Sequence, residues 1–386
     1  MTRIYLDHNA TTPVDPAVLE AMWPLYSEQW GNPSSIHWAG REPAGRIDDA
    51  RDQVAALIGA KPRDLFFTSG GTESDNTALM GVVLAHGSRG KHVVTSAIEH
   101  KAVLDMLAFM ESFHGVEVTR LGVDSSGRHS LDELRAAMRD DTVLVSVMLA
   151  NNEIGNINDI PAMAAIAHDG GAVMHCDAVN ALGKIPLDVG ALGVDLLSVS
   201  AHKIHGPKGC GALWVKRKTP FEPYIRGGGQ ERGRRCGTYN AAGIVGFGKA
   251  AELAGERLSA DYVTTVAAMR DRLETSLMDR LSGVQVNGAP ESRLPNTTNL
   301  SFAGVDGEAL VLNLDLRGIA ISTGSACTSG SLEPSHVLLA LDRGEKWLAA
   351  AIRFSLGATT SEEQIETVIE AVVAEVTKLR TLAGSA

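Results

Sequence analysis

Short apolar runs, each followed by a helix-like stretch, recur through the first half of this chain. No other feature narrows the fold so far. "DLFFTSG" leads into "GTESDNTALMGVVLAHG", "KHVVTSA" into "HKAVLDMLAFMESFHG", and "TVLVSVMLA" into "IPAMAAIAHDGG" before "AVMHCDA". The runs are dense in Val, Leu and Ile. Strands buried on both faces need that composition, and parallel strands joined by crossover helices are buried that way. The alternation predicts an α/β domain with a mostly parallel sheet over residues 16–255. Residues 241–281 read as one long helix leading out of it. Beyond them, "RLPNTTNLSFAG", "GIAISTGSAC" and "AAIRFSLG" read as strands and "EEQIETVIEAVVAEVTKLR" as a helix. These predict a smaller α+β domain over 256–386, which residues 1–15 join.

At 386 residues the chain is long enough for two such domains. A net charge of −11 argues against nucleic acid as a partner. No run approaches the roughly 20 apolar residues that span a bilayer, so no membrane partner is expected. The opening "MTRIYLDHNATT" lacks the apolar stretch of an export signal. Cysteines 176, 210, 236 and 327 share no CxxC spacing. A reduced, cytoplasmic setting follows, with neither disulfides nor a metal site expected.

Three features carry chemistry. "SVSAHKIHGPKGCG" puts Lys203 at the end of an apolar run, between His202 and His205, ahead of a turn shaped by Gly206, Pro207 and Gly209. "FFTSGGTESDN" is a strand, a Gly-Gly turn and a helix start, where backbone N–H groups can cradle a phosphate or simply be capped by Thr72. "HCDAVN" places Asp177 after an apolar run, at the sheet edge where open α/β folds bind ligands. Lys203 follows Asp177 by twenty-six residues, room for one crossover and one strand. A phosphate cradle, a carboxylate and an amine are together what pyridoxal 5′-phosphate (PLP) needs: an amine for its aldehyde, a carboxylate for its ring nitrogen and a site for its phosphate. His100 in "AIEHKAV" could lie flat against the ring.

With these residues in place, the chain resembles the cysteine desulfurases of the class V aminotransferase family. The resemblance runs through "YLDHNATTPVDP", "GNPSSIHWAGREP", "TSGGTES", "EHKAV", "NNEIG", "HCDAVNALGK", "SAHKIHGPKG", "RRCGT", "STGSACTSGSLEPSHVLLAL" and "IRFSLG". It implies a fold-type I PLP enzyme: a large domain with a seven-stranded mixed sheet, a small domain, and a homodimer with sites at the interface. By resemblance, Lys203 binds the cofactor and moves protons, Asp177 pairs with its ring nitrogen, and His100 stacks on the ring as an acid–base group. Gly71, Thr72, Ser200 and His202 would hold the phosphate, and Thr238 would reach the neighbouring subunit's phosphate. Asn152 and Asn180 would contact the cofactor, Asn152 also the substrate, and Arg353 the substrate carboxylate.

Cys327 separates desulfuration from other reactions of this family. Its setting, "STGSACTSGS", is small and polar, unlike the apolar surroundings of a packing cysteine. Its thiolate would take sulfur from L-cysteine, leaving alanine and a persulfide. The "SLEP" extension resembles the group whose loop, about residues 322–335, delivers sulfur to iron–sulfur scaffold proteins. Selenocysteine lysis, another class V transamination, or a catalytically idle sulfur-transfer scaffold are the alternatives; an intact Lys203–Asp177–His100 set argues against the last. Four residues depart from the family pattern: Asn180 stands where glutamine is usual, Cys176 for Thr or Val, Tyr239 for an acidic residue, and Asn156 for a small apolar one. They bear on substrate preference and rate.

Overall fold

The computed structural model describes residues 3–87, 90–258, 261–323 and 334–384. Its strands are β1 (Ile4–Tyr5), β2 (Leu65–Thr68), β3 (His92–Ser96), β4 (Glu117–Leu121), β5 (Thr142–Ser146), β6 (Val173–Asp177), β7 (Leu196–Ser200), β8 (Gly211–Val215), β9 (Val284–Asn287), β10 (Thr297–Phe302), β11 (Ile319–Ala320), β12 (Ser322–Thr323) and β13 (Ala351–Ser355). Seven form one sheet in the order β2-β8-β7-β6-β5-β3-β4. Every neighbouring pair is parallel except those made by β8, which runs antiparallel to β2 and β7. The mixed seven-stranded sheet expected by resemblance is present.

All residues of β2, β3, β5, β6 and β7 are buried. That is why these runs are continuously apolar. Each nevertheless ends in a polar residue: Thr68, Ser96, Ser146, Asp177 and Ser200. Because these five strands point the same way, their polar ends share one edge of the sheet, where a ligand can meet them.

A second, antiparallel sheet has the order β12-β13-β10-β9. The helices Tyr262–Arg280, Gly307–Asp315 and Glu362–Leu382 pack on it around Leu273, Leu300, Phe302, Leu310, Phe354 and Val368. Ile4 and Leu6 belong to this core rather than to the large one. β1 pairs with β11, Ile4 opposite Ile319, and Asp7 bridges to Ser355. The chain then crosses to the edge of the large sheet.

Two readings of the sequence need amendment. The long helix expected over 241–281 is two, Ala241–Leu258 and Tyr262–Arg280. Ser259 and Asp261 favour ends over interiors, and the Asp261 carbonyl accepts the Thr265 N–H at 3.0 Å in the first turn of the second helix. The edge strand β4 and the short β9 were not separated from their loops, because both are partly exposed and lack a dense apolar run.

Candidate active site

A cavity of about 250 Å³ opens between the polar edge of the large sheet and residues Asn9 and Ala10, close to the lower size of small-molecule sites. Lys203 reaches it from the single turn Ala201–Lys203 that follows β7. Two features fix that turn. His205 takes a left-handed φ of 66°, and a side chain at Gly206 would come within 2.8 Å of the Ala201 carbonyl, so only glycine fits. The Lys203 ammonium donates to the carbonyl of Ala10 at 3.0 Å and to that of Asn9. Behind it, the His202 Nδ1 pairs with the Thr11 hydroxyl at 3.2 Å. Burial and the neighbouring Lys203 push His202 down to about 3, which leaves the ring neutral.

Asp177 ends β6, opposite Ser198 of β7. Its Oδ1 accepts the Val179 N–H at 2.8 Å, and the carboxylate lines the cavity. Burial raises its affinity for a proton; His100, the Val179 N–H and Lys203 oppose that. His100 stands at the start of the helix Lys101–His114 and caps it, Nδ1 accepting the Ala102 N–H at 3.1 Å. With Nδ1 an acceptor, the neutral ring carries its hydrogen on Nε2. The same histidine caps the helix and lines the cavity.

The helix Gly71–Ala85 also points its first turn at the cavity, through Gly71 and Thr72. Unlike its neighbour it has no side-chain cap, so Thr72 does not play that part. Its leading N–H groups, with the positive end of the helix dipole, are left for an anion. A side chain at 71 would meet Val179 at 2.7 Å, so glycine lets the helix end sit against the Asp177 turn. One wall therefore offers an anion cradle, a buried carboxylate and an amine. That donor set fits PLP at its phosphate, its ring nitrogen and its aldehyde.

Arg353, from β13, closes the opposite side and is 2% exposed. Its Nη2 donates to Asp7 Oδ1 at 2.7 Å and its Nη1 to the Asn152 carbonyl at 2.9 Å. Its Nε is buried with no acceptor among the described residues. Asn152 and Asn180 complete the wall.

Not every expected residue lies there. The Ser200 hydroxyl reaches the Cys210 carbonyl at 3.5 Å and Ser200 is not on the cavity wall. Thr238 is exposed and also away from the wall. Cys327 and most of its loop lie outside the described residues. Of the departures, only Asn180 lines the cavity. Asn156 is a structural clasp, donating to the carbonyls of Ser126 at 2.7 Å and Gly127 at 2.9 Å and accepting the Ala289 N–H at 2.8 Å. The Tyr239 hydroxyl accepts the Glu231 N–H at 3.0 Å, and Cys176 is fully buried in the large core. The sequence reading passed over Asp75, Asp7 and Asn9. Asp75 lines the cavity, is 1% exposed, and its Oδ1 lies 3.7 Å from His175 Nε2 with no hydrogen bond among the described residues. Its signal was present, since it follows Gly71 by one helical turn and shares its face.

The aminotransferase class-V family matches residues 4–368. A cysteine desulfurase IscS of Dictyoglomus turgidum is 47% identical over 379 residues, 98% of this chain and 96% of that protein. A NifS-like protein of solved structure superposes with a TM-score of 0.91 at 38% identity, covering 98% of this chain and 100% of that one. The structure of SspA in complex with cysteine gives a TM-score of 0.80 at 34% identity, over 92% of this chain and 99% of that one.

Proposed function

The chain belongs to the aminotransferase class-V family, and from that premise we propose how it works as a PLP-dependent cysteine desulfurase. The observation that carries this reading is the convergence of Lys203, Asp177 and an uncapped helix N-terminus on one cavity. Lys203 would hold the cofactor's aldehyde carbon and Asp177 its ring nitrogen. Gly71, Thr72 and His202, with Ser200 behind them, would hold its phosphate, and His100 would cover its ring face. Bound there, PLP supplies an electron sink for bonds at the α-carbon of an amino acid.

The chain's own groups do the rest. Arg353, held by Asp7, offers a planar pair of N–H groups to the substrate carboxylate. Asn152 lies beside it for the amino-acid end of the substrate. Lys203 Nζ takes and returns protons at the substrate's α-carbon, and His100 Nε2 serves as a second proton carrier. The Cys327 thiolate attacks the substrate sulfur: the S–S bond forms, the substrate C–S bond breaks, and alanine and a persulfide on Cys327 result. Atoms and electrons balance without an outside oxidant.

The remaining assignments concern assembly. Trp23, Tyr26, Trp30 and Trp38 are 63–69% exposed, and Ile36 is 91% exposed, on the segment after the first helix. A single chain rarely leaves such a patch in water. We assign it to a homodimer, in which the exposed Thr238 serves the partner's phosphate site. Residues 1–15 and 256–386 form the small domain, a division supported by the shared core of Ile4, Leu6 and the C-terminal helices. The sulfur acceptor is an iron–sulfur scaffold or similar carrier. No described helix is long and apolar enough to cross a membrane, which accords with a cytoplasmic setting. The test is direct: borohydride should fix PLP to Lys203, and L-cysteine should yield equal alanine and sulfide under reducing conditions. Cofactor fixed elsewhere, or L-cysteine left unchanged, refutes the reading.

A further inference from the structure

A second lysine lies behind the first. Lys184 follows Asn180 by four residues in the turns after β6 and is 9% exposed. Its Nζ donates to Asn180 Oδ1 at 2.7 Å and to Asn9 Oδ1 at 2.8 Å. Both acceptors are amides, not carboxylates, an unusual setting for a buried amine. The titratable and charged groups around it are mostly basic too: Lys203 and His202 on the turn after β7, Arg353 on β13, His8 on the N-terminal segment, His205, and Arg257 on the helix Ala241–Leu258, with the Tyr262 phenol on the same cavity wall. Burial and these neighbours hold Lys184 well below the usual lysine range. Charged or neutral, its nitrogen has the two hydrogens that these bonds need.

The consequence falls on Asn180. An amide whose oxygen is taken has only its nitrogen to offer elsewhere. Among the described residues the Asn180 Nδ2 makes one hydrogen bond, to the Asn151 carbonyl at 3.5 Å, which is the outer limit of such a bond. Asn9 is held in the same sense. Its Nδ2 donates to Thr297 Oγ1 at 2.9 Å and to the Asn152 carbonyl at 3.2 Å, which fixes Oδ1 toward Lys184. The geometry points to Lys184 as a positioning residue: it locks the amide oxygen of Asn180 so that the amide nitrogen faces the cofactor cavity as a donor. Lys184 lies on the rear cavity beyond Lys203 and does not line the cofactor cavity itself. It acts through Asn180. This inference rests on the proposed binding of PLP at Lys203.

A donor aimed at the cofactor's phenolic oxygen favours its anionic form and so lowers the pH at which the Lys203–cofactor linkage gives up its proton. Removing that donor raises the midpoint. Holoenzymes carrying Lys184→Met, Asn180→Ala and both changes are titrated by visible absorbance from about pH 6 to about pH 10, a readout independent of turnover. Lys184→Met should raise the midpoint by about one pH unit or less, as should Asn180→Ala. The double variant should move no further than Asn180→Ala alone, since Lys184 acts through that amide. An unmoved midpoint in Lys184→Met, or shifts that add in full, overturns the inference. If thermal melting shows Lys184→Met to be unfolded, Lys184→Gln replaces it, with an upward shift expected and an unmoved midpoint again overturning. Borohydride fixation on the wild type separates the two failures. Cofactor absent from Lys203 defeats the parent reading, whereas cofactor present with an unmoved midpoint defeats only this one.

Discussion

Arg353 and Asp7 meet at 2.7 Å across the join between the small sheet and the N-terminal segment, with the guanidinium 2% exposed. The pairing settles which way the guanidinium faces before any substrate arrives. Its cost in desolvation is met by two hydrogen bonds, to Asp7 and to the Asn152 carbonyl.

Arg353→Lys should therefore raise KM for L-cysteine by about tenfold or more while bound PLP stays spectroscopically intact. Lysine keeps the charge and loses the planar fork. Asp7→Asn should give a smaller rise of the same kind, because the fork remains but its orientation loosens. Steady-state kinetics with L-cysteine checks both; an unchanged KM in Arg353→Lys would remove this arginine from substrate binding.

Lys203→Ala should abolish borohydride-fixable cofactor and all sulfide release. Among the described residues its amine alone combines access to the cavity with a cage of two backbone carbonyls. Peptide mapping after reduction is the measurement. A label on Lys184 would show the neighbouring lysine to be the attachment point instead.

Cys327→Ser should keep PLP and bind L-cysteine but carry no persulfide. Mass spectrometry of the wild type after brief exposure to L-cysteine should place the extra sulfur on Cys327. Cys176 and Cys210 are buried, and burial pushes both thiols well above the usual range, so neither ionises readily at neutral pH. Labelling on either would contradict the choice.

Glu153 gives a pH signature. It is buried and accepts the Ser335 hydroxyl at 2.5 Å, and burial raises its carboxyl from 4.5 to about 7. A raised folded-state pKa means the native state holds the proton more tightly than the unfolded chain does. The resulting stabilisation is full below about 4.5 and is lost as pH rises through about 7. Glu153→Gln should remove that loss. Its stability relative to wild type should climb across this window by up to about 3 kcal/mol, read from urea midpoints at several pH values. A difference that stays flat with pH would show that Glu153 titrates normally.

Glu231→Ala tests a buried ion pair outside the cavity. Arg51 forks onto Glu231 at 2.7 and 2.9 Å, and both side chains are under one-tenth exposed. Removing one partner strands the other, a loss of about 3–5 kcal/mol by denaturant unfolding. A loss under about 1 kcal/mol would show that water reaches Arg51.

The site was legible where chemistry follows a strand. Lys203, Asp177 and His100 each come directly after a buried apolar run, and the sheet's topology gathers such ends on one edge. Gly71 and Thr72 were legible for the same reason. Asp7 and Asn9 were not, because what matters in them is a partner far along the chain: Arg353 for Asp7, and Lys203 and Lys184 for Asn9. No local periodicity encodes those meetings. Ser200, given to the phosphate by resemblance, ends β7 off the cavity wall, with its hydroxyl toward the Cys210 carbonyl. Asn156 likewise stands next to a site motif and is occupied in holding loops together.

The N-terminal segment carries a consequence for how the protein is made. Ile4 pairs with Ile319, the His8 N–H donates to the Ser355 carbonyl at 3.1 Å, and Asp7 waits for Arg353. Residues 4–8 thus find their partners more than three hundred residues later in the chain. The large sheet can close while synthesis continues, but the carbonyls of Asn9 and Ala10 cannot be steadied over Lys203 until the strand Ala351–Ser355 has emerged. Cofactor capture therefore waits for that strand, and a nascent chain stalled before residue 350 should be unable to retain it.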